Sequence, residues 1–268
     1  MVSVRVPLLR KLLPAFLLLL SLLAGAQEFP YRLRAGREAL LLGGAGALSL
    51  TTHLLENKLE PLQRDDINSL QRNDVWFLDR GATRNESEAY RTLSDQLLRA
   101  AVLVPGSLLL DRAPRRRVLV LGTLLAETML LNDGLTKASK ILVKRSRPLT
   151  YNLAVEQEAK THEDARQSFV SGHTSNTAAL TFFTAKVFHD LHPESPWRPL
   201  VWAGAATVPL ITGYARYRAG KHFPTDIAAG YALGAALGIV IPQLHKVAPA
   251  TGWQAGVTDN GVGLIYRW

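Results

Sequence analysis

The stretch IAAGYALGAALGIVIPQL, residues 227–244, decides the fold. It contains no charged residue, and its length approaches the roughly 20 apolar residues that a helix needs to cross a bilayer. Glycine and alanine recur along it, which is typical of helices that pack closely in lipid. We therefore predict a long apolar helix over Ile227–Leu244 that lies tightly against a neighbouring helix.

Five further segments have the length and the leucine and alanine content of helices. They are Ala39–Leu55, Ala100–Leu110, Val118–Leu131, Thr174–Phe188 and Leu200–Ala215. The polar stretch from Glu56 to Ser94 predicts short amphipathic helices. The sequence thus predicts an all-α fold, a membrane-embedded helical bundle of about five to six core helices with short amphipathic helices in the N-terminal third. A water-soluble bundle with a thoroughly buried core is the alternative.

Composition excludes several classes of protein. The 268 residues contain no cysteine, which excludes a disulfide framework and any thiolate chemistry. The net charge is +9, yet no basic stripe is interleaved with aromatic residues, so we expect no nucleic-acid partner. The tail from Pro249 ends in GVGLIYRW, which predicts an extended segment.

The N-terminus has the pattern of an export signal. Arg5, Arg10 and Lys11 precede the apolar run Leu12–Leu23, and Ala24-Gly25-Ala26 supplies small residues for cleavage. We predict a signal peptide over residues 1–26, with an uncleaved anchor helix as the alternative.

Three polar clusters follow one another in the second half of the chain. They are KILVKRSRP at 140–148, VSGHTS at 170–175 and ARYRAGKHFPTD at 215–226. Fixed cations beside a helix N-terminus can hold a tetrahedral oxyanion. Of two imidazoles at such a site, one can attack the central atom and the other can protonate the leaving group. The candidate site residues are Lys140, Arg147, Ser171, Gly172, His173, Arg216, His222 and Asp226.

The cations and the Ser-Gly turn are candidates for holding phosphate oxygens. Arginine presents a planar fork that matches these oxygens, and lysine acts as a point charge. Ser171 and Gly172 precede an apolar helix, whose first backbone N–H groups form a ready anion site. The alternative is that Ser171 only caps this helix and binds no phosphate. Lys144 and Arg145 are interpreted as solvated or interfacial side chains.

The histidines are candidates for the chemical steps. His222 and Asp226 are four residues apart and share one face of a helix start or turn, where the carboxylate would fix the tautomer and free the other nitrogen to attack. His173 beside bound phosphate would suit a general acid. A purely structural His–Asp pair is the alternative. A metal site of both histidines and Asp226 is disfavoured because three cations would repel a dication, so we expect no metal or other cofactor.

Taken together, the clusters resemble the type-2 phosphatidic acid phosphatase and vanadium haloperoxidase superfamily. That family's pattern is KxxxxxxRP, PSGH and SRxxxxxHxxxD, and the resemblance covers roughly Asp133 to Gly234. Two positions depart from it, because Val170 stands where the family usually has proline and Ala215 where it usually has serine.

The resemblance implies a metal-independent phosphatase with two chemical steps. It implies that His222 attacks phosphorus, that Asp226 orients it, and that His173 protonates the leaving alkoxide. The remaining candidates, Lys140, Arg147, Ser171, Gly172 and Arg216, would bind the phosphate oxygens. The implied substrate is a phosphorylated lipid. A soluble periplasmic acid phosphatase acting on a small phosphomonoester and a catalytically silent protein that binds anionic head groups are the alternatives.

The predicted organisation follows from these segments. After the signal peptide we expect an N-terminal helical region at 27–94, a phosphatase core at 95–246 and a C-terminal tail at 247–268. The basic run Arg112–Arg117 lies between two apolar segments and should stay cytoplasmic, which places the clusters on the periplasmic side of a bacterial-type inner membrane. If the signal is cleaved and Ala39–Leu55 also spans, the site faces inward instead. We therefore expect Ala39–Leu55 to lie at the interface or packed within the protein.

Overall fold

The structure is a computed structural model that describes residues 29–247 and the backbone of 252–258 and 261–267. The predicted signal peptide lies outside the described residues. The α-helices are α1 Ala35–Glu56, α2 Arg64–Ser69, α3 Glu88–Leu103, α4 Arg112–Arg116, α5 Val118–Val143, α6 Gln157–Lys160, α7 Gly172–Leu191, α8 Arg198–Arg218 and α9 Pro224–His245. Short 3-10 turns lie at Arg72–Asp74, Arg80–Arg84, Val104–Leu110, Pro148–Tyr151 and Glu163–Arg166. The predicted helical bundle is confirmed.

The six long helices α1, α3, α5, α7, α8 and α9 run alternately up and down the bundle. Lys140 near the end of α5 contacts Glu56 at the end of α1, with 3.2 Å between Nζ and Oε1. The end of α8 and the starts of α7 and α9 lie at this same end, because His173, Arg216 and His222 share one cavity with Lys140. All three polar clusters therefore meet at one end of the bundle.

A close seam between α7 and α9 sets the positions of two of these clusters. Gly230, Gly234 and Gly238 recur every four residues on α9 and face the backbone of α7. A Cβ atom on Gly234 would lie 2.0 Å from the carbonyl oxygen of Ser175, so no larger residue fits there. This seam confirms the close packing that the composition of residues 227–244 predicts.

Within residues 29–247, four helical segments are long and apolar enough to cross a membrane. They are Ala35–Glu56, Glu88–Leu110, Val118–Tyr151 and Pro224–His245. Large apolar side chains on them remain outside the protein core, among them Leu40, Leu119 and Leu142, which are 74%, 82% and 82% exposed. Such a surface suits lipid better than water, which supports the membrane-embedded bundle over the soluble one.

Several predicted boundaries require correction. The helix predicted at Ala100–Leu110 begins at Glu88 and ends in a 3-10 turn from Val104, and the one predicted at Val118–Leu131 runs on to Val143. Ala39–Leu55 belongs to a 22-residue helix about 33 Å long. Most of its leucines face outward, and the helix is long and apolar enough to be a candidate span, while Ala45 and Thr52 are buried.

The tail forms an antiparallel hairpin. Strand β1, Gly252–Thr258, pairs with β2, Gly261–Arg267, in a register that sets Gly252 opposite Arg267. The extended segment predicted for GVGLIYRW is therefore confirmed as β2.

Candidate active site

A polar cavity of about 260 Å³ opens at the end of the bundle where the clusters meet. Six of the eight predicted residues line it: Lys140, Arg147, Gly172, His173, Arg216 and His222. Four more lining residues were not predicted, namely Arg91, Asp95, Asp164 and Lys221. Ser171 and Asp226 are fully buried and do not line the cavity.

The cavity carries an excess of positive charge. Five of its lining residues are arginine or lysine, and two are aspartate. Asp164 lies 3.0 Å from Arg147 Nη2 and 3.9 Å from Lys221 Nζ. Burial alone would raise the pKa of Asp164, but these two cations outweigh it and hold the pKa below its usual range. The balance suits an anion with about two negative charges.

Several buried N–H groups beside the cavity have no acceptor. Arg147 Nε and Nη1 and Arg216 Nε find no hydrogen-bond partner within the described part of the chain. A buried donor without a partner costs about 1–3 kcal/mol, and more on a charged group. A bound tetrahedral oxyanion would supply acceptors for such groups.

His222 is held in the tautomer that suits a nucleophile. Its Nδ1 donates a hydrogen bond to the carbonyl oxygen of Ser168 at 2.7 Å, so the lone pair lies on Nε2. Burial, followed by the charges of Arg147 and Arg216, lowers the pKa of His222 well below its usual value. The ring is therefore neutral at neutral pH.

The predicted His222–Asp226 hydrogen bond is wrong. The carboxylate Oδ2 lies 3.9 Å from Nδ1, beyond hydrogen-bond range. The physical reason is Pro224, which opens α9 and forces the preceding Phe223 into an extended conformation with ψ of 156°. His222 therefore precedes the helix, and its ring turns to the Ser168 carbonyl instead.

Asp226 holds together the backbone that carries His222. Its carboxylate accepts hydrogen bonds from Ser168 Oγ at 2.6 Å and from the backbone N–H of Phe223 at 2.9 Å. Arg145 donates to it at 2.6 Å. Phe223 follows His222 in the sequence, and the Ser168 carbonyl oxygen accepts the hydrogen bond from the His222 ring, so Asp226 acts on the imidazole through these two residues.

Arg145 is not the solvated side chain that the sequence predicted. Besides Asp226 it donates to Asp79 Oδ2 at 2.7 Å, and its guanidinium lies 4.0 Å from the centre of the Phe223 ring. A side chain that bridges two carboxylates and stacks on an aromatic ring is better supplied by arginine than by lysine. The neighbouring Lys144 is exposed at the left-handed end of α5, as expected of a solvated residue.

Of the two histidines that line the cavity, His173 is the one with a carboxylate as hydrogen-bond partner. Its Nε2 lies 2.8 Å from Asp95 Oδ1, and Arg216 Nη1 lies 3.6 Å from the same oxygen. Burial and then the charge of Arg216 lower the pKa of His173 to about 4, while Asp95 acts in the opposite direction. A phosphate dianion in the cavity would offset the cations and favour the protonated ring.

The Ser-Gly turn opens α7 as predicted. Ser171 is its N-cap residue, but its Oγ pairs with Thr174 Oγ1 at 2.9 Å. The Ser171 backbone N–H donates to the Asp226 carbonyl oxygen at 3.0 Å. Only Gly172 of this pair reaches the cavity, so Ser171 connects α7 to the start of α9.

Two signals in the sequence could have identified the missed lining residues. Arg91 and Asp95 are four residues apart and share one face of α3. Lys221 directly precedes His222 in the third cluster; burial and then Arg147 lower its pKa to about 8. Asp164 lies in a polar loop with no local pattern to single it out.

The comparison with protein families matches the part of the chain that builds this cavity. The sequence model of the PAP2 superfamily matches residues 121–249, just under half of the 268 residues. The matched segment contains all eight predicted site residues, and the resemblance identified from the three clusters is confirmed.

Two known proteins are similar to parts of the chain. The lipid A 4'-phosphatase of Porphyromonas gingivalis is 30% identical over 87 residues, which cover 32% of this chain. That alignment spans 34%, about a third, of the relative's own length. The crystal structure of a transmembrane PAP2-type phosphatidylglycerolphosphate phosphatase from Bacillus subtilis matches 75% of this chain and 94% of its own, with 20% identity and a TM-score of 0.45.

Proposed function

We propose that this protein is a phosphoric ester hydrolase that releases phosphate from a phosphorylated lipid. The observation that carries the proposal is the cation-lined cavity into which the neutral His222 faces, at one end of a bundle of apolar helices. The similar protein from Porphyromonas gingivalis is a lipid A 4'-phosphatase, which supports a phosphorylated lipid as the class of substrate. The lipid-facing helices favour a lipid over the small phosphomonoester of a soluble enzyme.

The first proposed step is attack by His222 on phosphorus. Nε2 forms a bond to phosphorus while the bond from phosphorus to the lipid oxygen breaks, and protonated His173 gives its proton to that oxygen. Arg147, Arg216 and Lys140 neutralise the charge that develops on the phosphoryl oxygens. The products are a free lipid alcohol and a phosphohistidine.

The second step returns the enzyme to its starting state. Water attacks the phosphohistidine, His173 accepts the proton of that water, and the bond from phosphorus to Nε2 breaks. Inorganic phosphate then leaves the cavity. Asp95 positions His173, and Asp226 positions His222 through Ser168 and Phe223.

A substrate panel tests this function. We expect the purified protein in detergent to release phosphate from lipid phosphates, and to act more slowly on p-nitrophenyl phosphate, which lacks acyl chains. An Arg147→Met variant should lose about 10²–10³-fold because a transition-state cation is removed. A control variant, Arg64→Met, changes an exposed arginine on α2 and should keep full activity. Absence of phosphate release from every lipid phosphate would contradict the proposal.

We further propose that the cavity faces the extracytoplasmic side. Arginines are concentrated at the opposite end of the bundle, before and within the first turn of α1 and in the short connection before α5: Arg32, Arg34, Arg37, Arg112, Arg115, Arg116 and Arg117. Short basic connections stay in the cytoplasm, so the far end with the cavity would lie outside. In this orientation α1 starts in the cytoplasm. Cleavage of the predicted signal peptide would leave the start of α1 outside, so the two predictions are incompatible.

The absence of cysteine from the sequence allows a direct test of orientation. Glu86→Cys places a thiol at the cavity end just before α3, and Ala113→Cys places one in the basic connection; both positions are exposed. A membrane-impermeant maleimide should label Glu86→Cys on intact spheroplasts and should label Ala113→Cys after lysis alone. The reverse pattern would show that the cavity faces the cytoplasm.

A further inference from the structure

Three ionisable side chains meet at the end of the bundle opposite the cavity. Glu38 lies in the first turn of α1, Glu127 lies in α5, and His245 is the last residue of α9. Their exposed fractions are 8%, 0% and 1%. The proposed phosphatase chemistry does not use them, and burying such groups requires compensation.

The histidine presents a lone pair to the two carboxylates. His245 Nδ1 donates a hydrogen bond to the Ile241 carbonyl oxygen at 2.8 Å, which leaves Nε2 unprotonated. Nε2 lies 3.0 Å from Glu38 Oε1 and 3.1 Å from Glu127 Oε2. Three electron-rich atoms thus lie within 4.8 Å of one another.

The charges at this cluster are not balanced by the described chain. Arg37 donates two N–H groups to Glu38 Oε1, at 2.8 and 3.1 Å, and so neutralises that carboxylate. Both oxygens of Glu127 are fully buried and find no hydrogen-bond donor among the described residues. An ionised carboxylate in this state costs several kcal/mol, and either a proton or a bound cation would offset that cost.

We propose that Glu38, Glu127 and His245 bind one divalent transition-metal ion of the zinc class. Ligand atoms at about 2.0–2.2 Å from a metal lie about 3.0–3.4 Å from one another in tetrahedral or octahedral geometry, which fits the two measured separations. The hydrogen bond from Nδ1 to a backbone carbonyl is the contact that orients a histidine ligand. Imidazole with two carboxylates suits zinc and its neighbours in the first transition row.

The competing explanation is an imidazolium that pairs with both carboxylates. That arrangement needs a proton on Nε2 directed at one of the oxygens. Neither oxygen is in line with His245 Nε2 for a hydrogen bond, although both are close enough. A metal ion at the apex of the three atoms satisfies all of them together.

The consequence of the site would be structural. The ion joins α1 to α5 and α9 at the end of the bundle that is remote from the cavity. Helix α1 packs mainly against α5, so a metal bond would add a link from α1 to α9, where packing is limited.

Metal content of the full chain tests the proposal. The protein is purified in detergent, equilibrated with zinc sulfate, separated from free zinc by gel filtration and analysed by mass spectrometry for metals. We expect about one zinc ion per chain in the wild type, and less than about one tenth in Glu127→Gln and His245→Ala. His222→Asn, changed in the cavity, is the matched control and should keep the ion. Zinc retained in Glu127→Gln and His245→Ala, or absent from the wild type, would overturn the proposal.

The wild type alone provides a second readout, which does not depend on the folding of a variant. Zinc should raise its melting temperature by several degrees, and EDTA should reverse the increase, because a ligand that binds only the folded state stabilises it. A melting temperature that zinc leaves unchanged would overturn the site. The outcome is separate from that of the phosphatase proposal, since a zinc-loaded protein without activity contradicts the catalytic proposal alone.

Discussion

Replacement of His222 by asparagine is expected to lower phosphate release by at least about 10⁴-fold. The asparagine amide can still donate to the Ser168 carbonyl, so the backbone around the site is retained while the attacking nitrogen is removed. Substrate binding should change little, because the cations of the cavity remain. The measurement is initial phosphate release from a lipid phosphate at saturating concentration, together with the melting temperature as a check of folding.

An Asp226→Asn variant separates the role of the nucleophile from that of its support. Asp226 contacts Ser168, Phe223 and Arg145 and does not bond to the imidazole, so its loss should destabilise the protein and reduce activity less than His222→Asn does.

Rapid quenching during turnover should trap phosphate covalently on the wild type and not on His222→Asn. Trapped phosphate on His222→Asn, or activity near that of the wild type, would refute nucleophilic attack by this residue.

The second large effect is expected for His173→Asn. Loss of a general acid typically costs about 10²–10⁴-fold when the leaving group is an alkoxide, which is a poor leaving group without a proton. p-Nitrophenolate leaves readily without protonation. The loss should therefore be much smaller with p-nitrophenyl phosphate than with a lipid phosphate, and the comparison of kcat for the two substrates measures it.

The dependence on the leaving group distinguishes acid catalysis from a structural role of His173. A residue that only shaped the cavity would affect both substrates equally. Asp95→Asn provides the companion test, because Asp95 contacts His173 and Arg216 Nη1 but does not transfer the proton. We expect Asp95→Asn to lose less activity than His173→Asn does. Its loss should again be larger with the lipid phosphate than with p-nitrophenyl phosphate. Equal losses on both substrates in His173→Asn would count against its role as the acid.

Much of the helical architecture could be predicted because long apolar runs have few alternatives in a bilayer. The glycine pattern of residues 227–244 also indicated close packing against a neighbouring helix, and the structure identifies that neighbour as α7. Helix boundaries were less accurate. Glu88–Leu103 begins with polar residues that face the cavity, and a hydropathy pattern does not detect them as part of a long helix.

The cavity was predictable where its residues belong to local motifs and not where they come from distant loops. Lys140, Arg147 and Arg216 were identified from their clusters, and all three line the cavity. The partner of His173 was missed because Asp95 lies 78 residues away in sequence. The His222–Asp226 bond was predicted from spacing alone, and the conformational restriction that Pro224 imposes on Phe223 prevents it.

The seam between α7 and α9 bears on how this scaffold tolerates change. At its three glycines α9 meets mostly main-chain atoms of α7, so the spacing between the two imidazoles depends little on side chains elsewhere in the protein. The helices that could meet the acyl part of a substrate, α1 and α3, lie outside that seam. Substitutions on α1 and α3, in evolution or in the laboratory, could therefore change the selectivity for the lipid while the two imidazoles keep their alignment.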